Sequence, residues 1–155
     1  MSNKLPLTTL IELAQGKTDE ATRRLGQLQS AHTSAEGKLE MLLQYRQEYM
    51  NQMQAQMQGG LPSAQWRNFQ NFIGTLDGAI EQQRALTQQA DSRLMHGQTD
   101  WQFSKRRLSS FDTLADRVRQ QDLRVLNKRD QQDSDERAAR QFYVRSAPLA
   151  LDLPE

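Results

Sequence analysis

A chain of 155 residues with 36% apolar residues has the length of one domain and too little apolar content for a compact globule. A formal net charge of +1 gives no global field to recruit nucleic acid or an anionic membrane, and the absence of cysteine removes disulfides, thiol catalysis and thiolate metal sites. A mean hydropathy of -0.85 leaves disorder or an elongated coiled coil with a narrow buried seam, and periodicity chooses between them.

Residues 1–6 read as a short leader closed by Pro6, followed by a first helix over about 7–57. Its seam alternates steps of three and four residues. One series is Leu7, Ala14, Ala21, Leu28, Ala35, Leu42, Tyr49 and Gln56. The other is Ile11, Thr18, Leu25, His32, Leu39, Arg46 and Met53. Gly16, Gly26 and Gly37 lie off the seam, and each costs about 1 kcal/mol relative to alanine. The bend is expected over about 58–62, at the only glycine pair, Gly59-Gly60, with Pro62 or Ser63 opening the next helix.

A second, longer helix is expected over about 63–142. Its seam is Trp66, Ile73, Ile80, Thr87, Leu94, Trp101, Leu108 and Ala115, interleaved with Phe69, Leu76, Gln83, Ala90, Gly97, Ser104, Phe111, Val118 and Val125. A 3.5-residue period held this long implies a left-handed supercoil and excludes disorder for most of the chain. Closing the hairpin directly beside the bend sets Ala21 against Trp101, Ala14 against Leu108, Leu25 against Gly97 and Ile11 against Phe111. Small faces large, as a filled core requires. Sliding by one heptad sets Leu28 against Trp101 and Leu7 against Asp122 instead. The expected fold is all-α: a long antiparallel two-helix coiled-coil hairpin, one domain over 1–145, with the second helix outrunning the first. At 1.5 Å per residue the paired rod is roughly 75 Å long and the overhang adds about 35 Å. The polar overhang is expected to fray when unbound, and 146–155 to be a disordered tail.

Chemistry is not legible in this chain. Gly16-Lys17 and Gly37-Lys38 lack the rest of a phosphate-binding loop. His32 and His96 are too far apart on a rod to share a metal, and His32 reads as a polar register residue. Acidic residues are scattered and a two-helix rod offers no concave site to tune them, so neither an enzyme nor a cofactor is expected. The basic run Lys105-Arg106-Arg107 is offset by Asp100, Asp112 and Asp116, so it reads as solvated coiled-coil flank rather than a nucleic-acid contact. With no apolar run near the roughly 18 residues of a membrane span and no signal-peptide core, a cytoplasmic location is expected, with any membrane met through a partner.

One feature exceeds what a two-stranded seam needs. Phe72, Ala79 and Leu86 recur every seven residues beside the seam and broaden the apolar stripe of helix 2. Such a stripe either packs under long neighbouring side chains or docks a partner segment.

The string Met41-Leu42-Leu43-Gln44-Tyr45-Arg46-Gln47-Glu48-Tyr49, the short bend, and the run from Trp66 through Phe69, Phe72, Leu76 and Ala79 to Gln83 closely resemble the FliJ family of flagellar type III export proteins. The resemblance covers roughly 7–140 and is most specific from Leu39 to Gln83. It implies a non-enzymatic stalk, similar to the central subunit of rotary ATP synthases. Such a stalk enters the hexameric ring of the export ATPase FliI, promotes its assembly and activity, touches the export-gate protein FlhA and helps recycle flagellar export chaperones. The implied FlhA contact falls on Phe72, Leu76, Ala79 and Gln83, the last standing where members can carry histidine. The stalk analogy sets the open end in the ring, where Arg106, Arg107, Arg117, Arg119 and Arg124 would reach acidic loops. The implied location is peripheral, at the cytoplasmic face of the inner membrane, and the free protein is expected to be a monomer. Two alternatives stand beside this reading. One is a general coiled-coil export chaperone that holds flagellar substrates on the widened stripe; the other is a structural dimer of straightened chains.

Overall fold

A computed structural model describes residues 4–147. Two helices account for nearly all of them: α1, Lys4–Gln58, and α2, Ser63–Ser146. They pack against each other as an antiparallel hairpin, the second longer than the first. Helix α1 starts earlier than expected, with Pro6 inside its first turn. That position tolerates proline because the first amides of a helix have no intrahelical partner.

The bend is built as its residues suggest. The Gly59 amide donates to the Gln56 carbonyl and the Gly60 amide to that of Met57, closing α1. Gly60 then turns the chain at φ +83°, which glycine adopts without a Cβ penalty. Pro62 is the cap residue of α2, and its carbonyl accepts from the amides of Gln65 and Trp66 at 3.1 and 3.2 Å. Ser63 is therefore the first helical residue, and no side chain caps this end.

Burial follows the alternating seam from Leu7 to Met53 and from Trp66 to Val118. Among the described residues, apart from Gly97, only Ala14, Met53, Leu76, Ile80 and the polar Thr18 are more than nine-tenths buried, as expected when each helix has one neighbour. Register is visible in the contacts. The Thr18 hydroxyl donates to the Ala14 carbonyl and reaches the Ser104 carbonyl across the seam at 3.3 Å. Gly97 lies against Leu25 and Leu28 so closely that an added Cβ would stand 2.5 Å from Leu28 Cδ1.

The seam stops where a partner helix stops. Gln56 is exposed at the bend. Past Val118, Asp122 is half-buried in the continuing series, whereas Leu123, Val125 and Leu126 are exposed because α1 has ended. Beyond that point α2 stays helical to Ser146, projecting about 40 Å. The overhang expected to fray when unbound is here one continuous helix, extending from a segment already helical so that no new nucleus is needed. The end is closed by the Ala147 amide donating to the Tyr143 carbonyl. The tail expected to be disordered lies, from 148 onward, outside the described residues.

Candidate docking surfaces

A heptad hairpin has two flanks, and here they differ. On the first, seam residues too polar for a core reach sideways. Arg46 donates from Nε to Asp77 at 2.5 Å, and this bond, reinforced by the carboxylate charge, raises the guanidinium above its ordinary pKa. His32 Nε2 lies 3.4 Å from Glu36 and 3.6 Å from Asp91. The Trp101 indole donates to Thr22 at 3.0 Å, and Lys105 lies over the same ring. His32 thus reaches from the α1 seam to Asp91 of α2. Among the described residues no cluster of histidine and carboxylates can hold a metal.

The second flank carries the widened stripe. Phe72 packs against Tyr49 with ring centroids 4.4 Å apart and planes tilted by 48°, and Tyr49 also meets Phe69 at 5.0 Å. One partner ring leaves Phe72 45% exposed, and Leu86, two heptads on, is 49% exposed. Tyr45 and Met41 of α1 are exposed on the same flank. The four residues carried over from the resemblance are not equivalent. Phe72 is presented outward, while Ala79 is half-buried. Leu76 lies in the core, and Gln83 is half-buried with its amide donating to the Ala35 carbonyl at 3.1 Å. The accessible apolar surface is therefore Phe72 and Leu86 from α2 with Tyr45 and Met41 from α1. The heptad pattern of helix 2 does not reveal the two α1 residues, which join this flank only once α1 lies alongside α2.

The five arginines of the open end do not form one face. At 100° per residue, Arg106, Arg117 and Arg124 fall within about 20° of one another, on the side of α2 turned away from the seam. Arg107 lies about a quarter turn away, over the Phe111 ring. Arg119 points elsewhere and pairs with Asp116 at 2.6 Å. The same end holds a second exposed apolar group, Leu10, Leu13, Phe103 and Leu114, on the flank that carries Phe72.

This geometry defines a coiled-coil rod with lateral binding surfaces. No described helix is long and apolar enough to cross a membrane. The model of the family described as flagellar FliJ protein matches residues 3–147. The flagellar FliJ protein of Salmonella typhi is 37% identical over 134 residues, covering 86% of this chain and 91% of that protein. The flagellar FliJ protein of Escherichia coli (strain K12) is 36% identical over the same shares. The chain belongs to the FliJ family and is a non-enzymatic component of flagellar protein export.

Proposed function

We propose that this rod is the stalk of the export ATPase: its open end sits in the FliI ring, promotes ring assembly and activity, and its bend end contacts the export gate FlhA. The protein then works at the cytoplasmic face of the inner membrane through these partners and helps return export chaperones for new cargo. The observation that carries the reading is the separation of two surfaces on one rod. An arginine strip, Arg106, Arg117 and Arg124, faces outward from the open end, and an uncovered apolar patch centred on Phe72 lies near the bend. Arginine suits acidic ring loops because its planar fork binds carboxylates bidentately.

The test is ATP hydrolysis by the cognate ATPase, titrated with the rod across the ring-assembly threshold. Stimulation should saturate near one rod per ring and fall on charge reversal at Arg117 and Arg124 together. Stimulation untouched by that reversal removes the arginine strip from the proposal. Light scattering gives the free state. A single hairpin over 1–145 predicts a monomer near 17.9 kDa, whereas a pair of straightened chains doubles the mass.

A second reading, a coiled-coil chaperone for flagellar substrates, is favoured by the exposure of Phe72 and Leu86 alone. It predicts substrate holding that tracks Phe72 and ignores the open end.

A further inference from the structure

The cleft at the open end lies apart from both the arginine strip of Arg106, Arg117 and Arg124 and the Phe72 patch. Leu10, Leu13, Phe103 and Phe111 line a hollow of about 150 Å³ between α1 and α2, with Lys17 and Arg107 on its rim. Phe103 and Leu13 are 65% and 58% exposed, so the apolar lining faces solvent rather than the seam. The Arg107 guanidinium carbon lies 5.8 Å from the Phe111 ring centroid. The side chain thus rests on the apolar wall. Among the described residues neither Lys17 nor Arg107 has a carboxylate partner, whereas Arg46 on the opposite flank does. An apolar floor with unpaired cations above it is complementary to an apolar stripe edged with carboxylates.

We propose that this cleft docks an amphipathic helix of a partner protein, seating apolar residues against Leu13 and Phe103 and setting acidic residues against Lys17 and Arg107. From Phe103 to Leu114 the surface runs about 16 Å along α2, the length of three helical turns. The partner helix therefore presents anchors spaced i, i+4, i+7 and i+11. The overhang of a second copy fits poorly. Its apolar segments, around Leu126 and Phe142, are flanked by Lys128 and Arg129 and by Arg140 and Arg145. These cations would face Lys17 and Arg107.

The test uses the full chain and a fluorescein-labelled helical peptide of about 18 residues, with leucines at the anchor spacing and glutamates on both edges. Its twin has lysines at the glutamate positions. Anisotropy at low salt should show the glutamate peptide binding at least about tenfold more tightly than its twin. Phe103→Ser should weaken it about tenfold, and the double change Lys17→Glu with Arg107→Glu should reverse the preference between peptides. Circular dichroism checks that each variant keeps its helix content, with Arg107→Met as the milder charge variant. Binding that ignores both Phe103 and the peptide charge overturns the proposal, as does no binding at all. Self-association of the free chain that is lost with Phe103→Ser assigns the cleft to a second copy and overturns it too. No ATPase is present in this assay, so its result stands apart from the stalk reading.

Discussion

Arg46, His32 and Trp101 sit in the seam of one flank and are each satisfied sideways, by Asp77, by Asp91 with Glu36, and by Thr22. On the other flank Phe72, Leu86, Leu10 and Phe103 recur and stay largely exposed. Both flanks belong to the same seam and the same heptads. The difference is in what each does with the surplus. Polar surplus on the first flank is paired within the rod, whereas the apolar stripe on the second stays exposed. A two-helix rod thus aligns itself along one side and leaves the apolar stripe of the other uncovered.

That contrast can be broken by substitution. The largest effect should come from the seam itself. Ile80→Ala removes a side chain 6% exposed and should cost about 2–3 kcal/mol in a thermal melt followed by circular dichroism. Gly97→Leu comes next, at about 1–3 kcal/mol, because Leu28 already occupies the space an added side chain needs. Phe72→Ala, losing mainly its Tyr49 contact, should cost only about 1 kcal/mol in the same melt yet sharply reduce FlhA binding measured by calorimetry. A stability loss equal to that of Ile80→Ala would make Phe72 a core residue and erase the distinction between flanks. Gly26→Ala should act in the opposite direction, raising stability by about 0.5–1 kcal/mol in denaturant titration, since a Cβ there meets nothing. Asp77→Ala should give the smallest shift of all, as exposed ion pairs contribute little. Its signature should instead be a change in the NMR shift of Arg46 Nε.

The seam was legible because a heptad pattern is a local signal repeated many times, so isolated polar interruptions such as Thr18 and His32 do not erase it. Register was legible for a different reason. Gly97 admits Leu25 and Leu28 only when the helices close beside the bend, and volume matching along the seam selects that alignment. The docking flank was only half legible. The stripe on α2 repeats every seven residues and could be read from one helix. Tyr45 and Met41 join it only after α1 is laid alongside, and the open-end cleft needs side chains from both helices. The arginine set illustrates the same limit. Five cations close in sequence resolve into a strip of three by helical angle, but that one lies over Phe111 and one pairs with Asp116 shows only in the side-chain contacts.

The bend also sets the order in which the hairpin closes. Tyr49 and Phe69 are near in sequence, whereas Leu7 and Ala115, lining one cleft at the far end, are separated by most of the chain. Loop-closure entropy favours the short connection first, and each later layer then closes only a few additional residues. The rod should therefore zip from Gly60 outward and unzip from Leu7 inward. Amide exchange should slow steadily toward the bend, with little protection at the opposite end. A ligand that clasps the open end would then act as a latch, holding shut the last-formed part of the zipper and protecting amides all the way down to the bend.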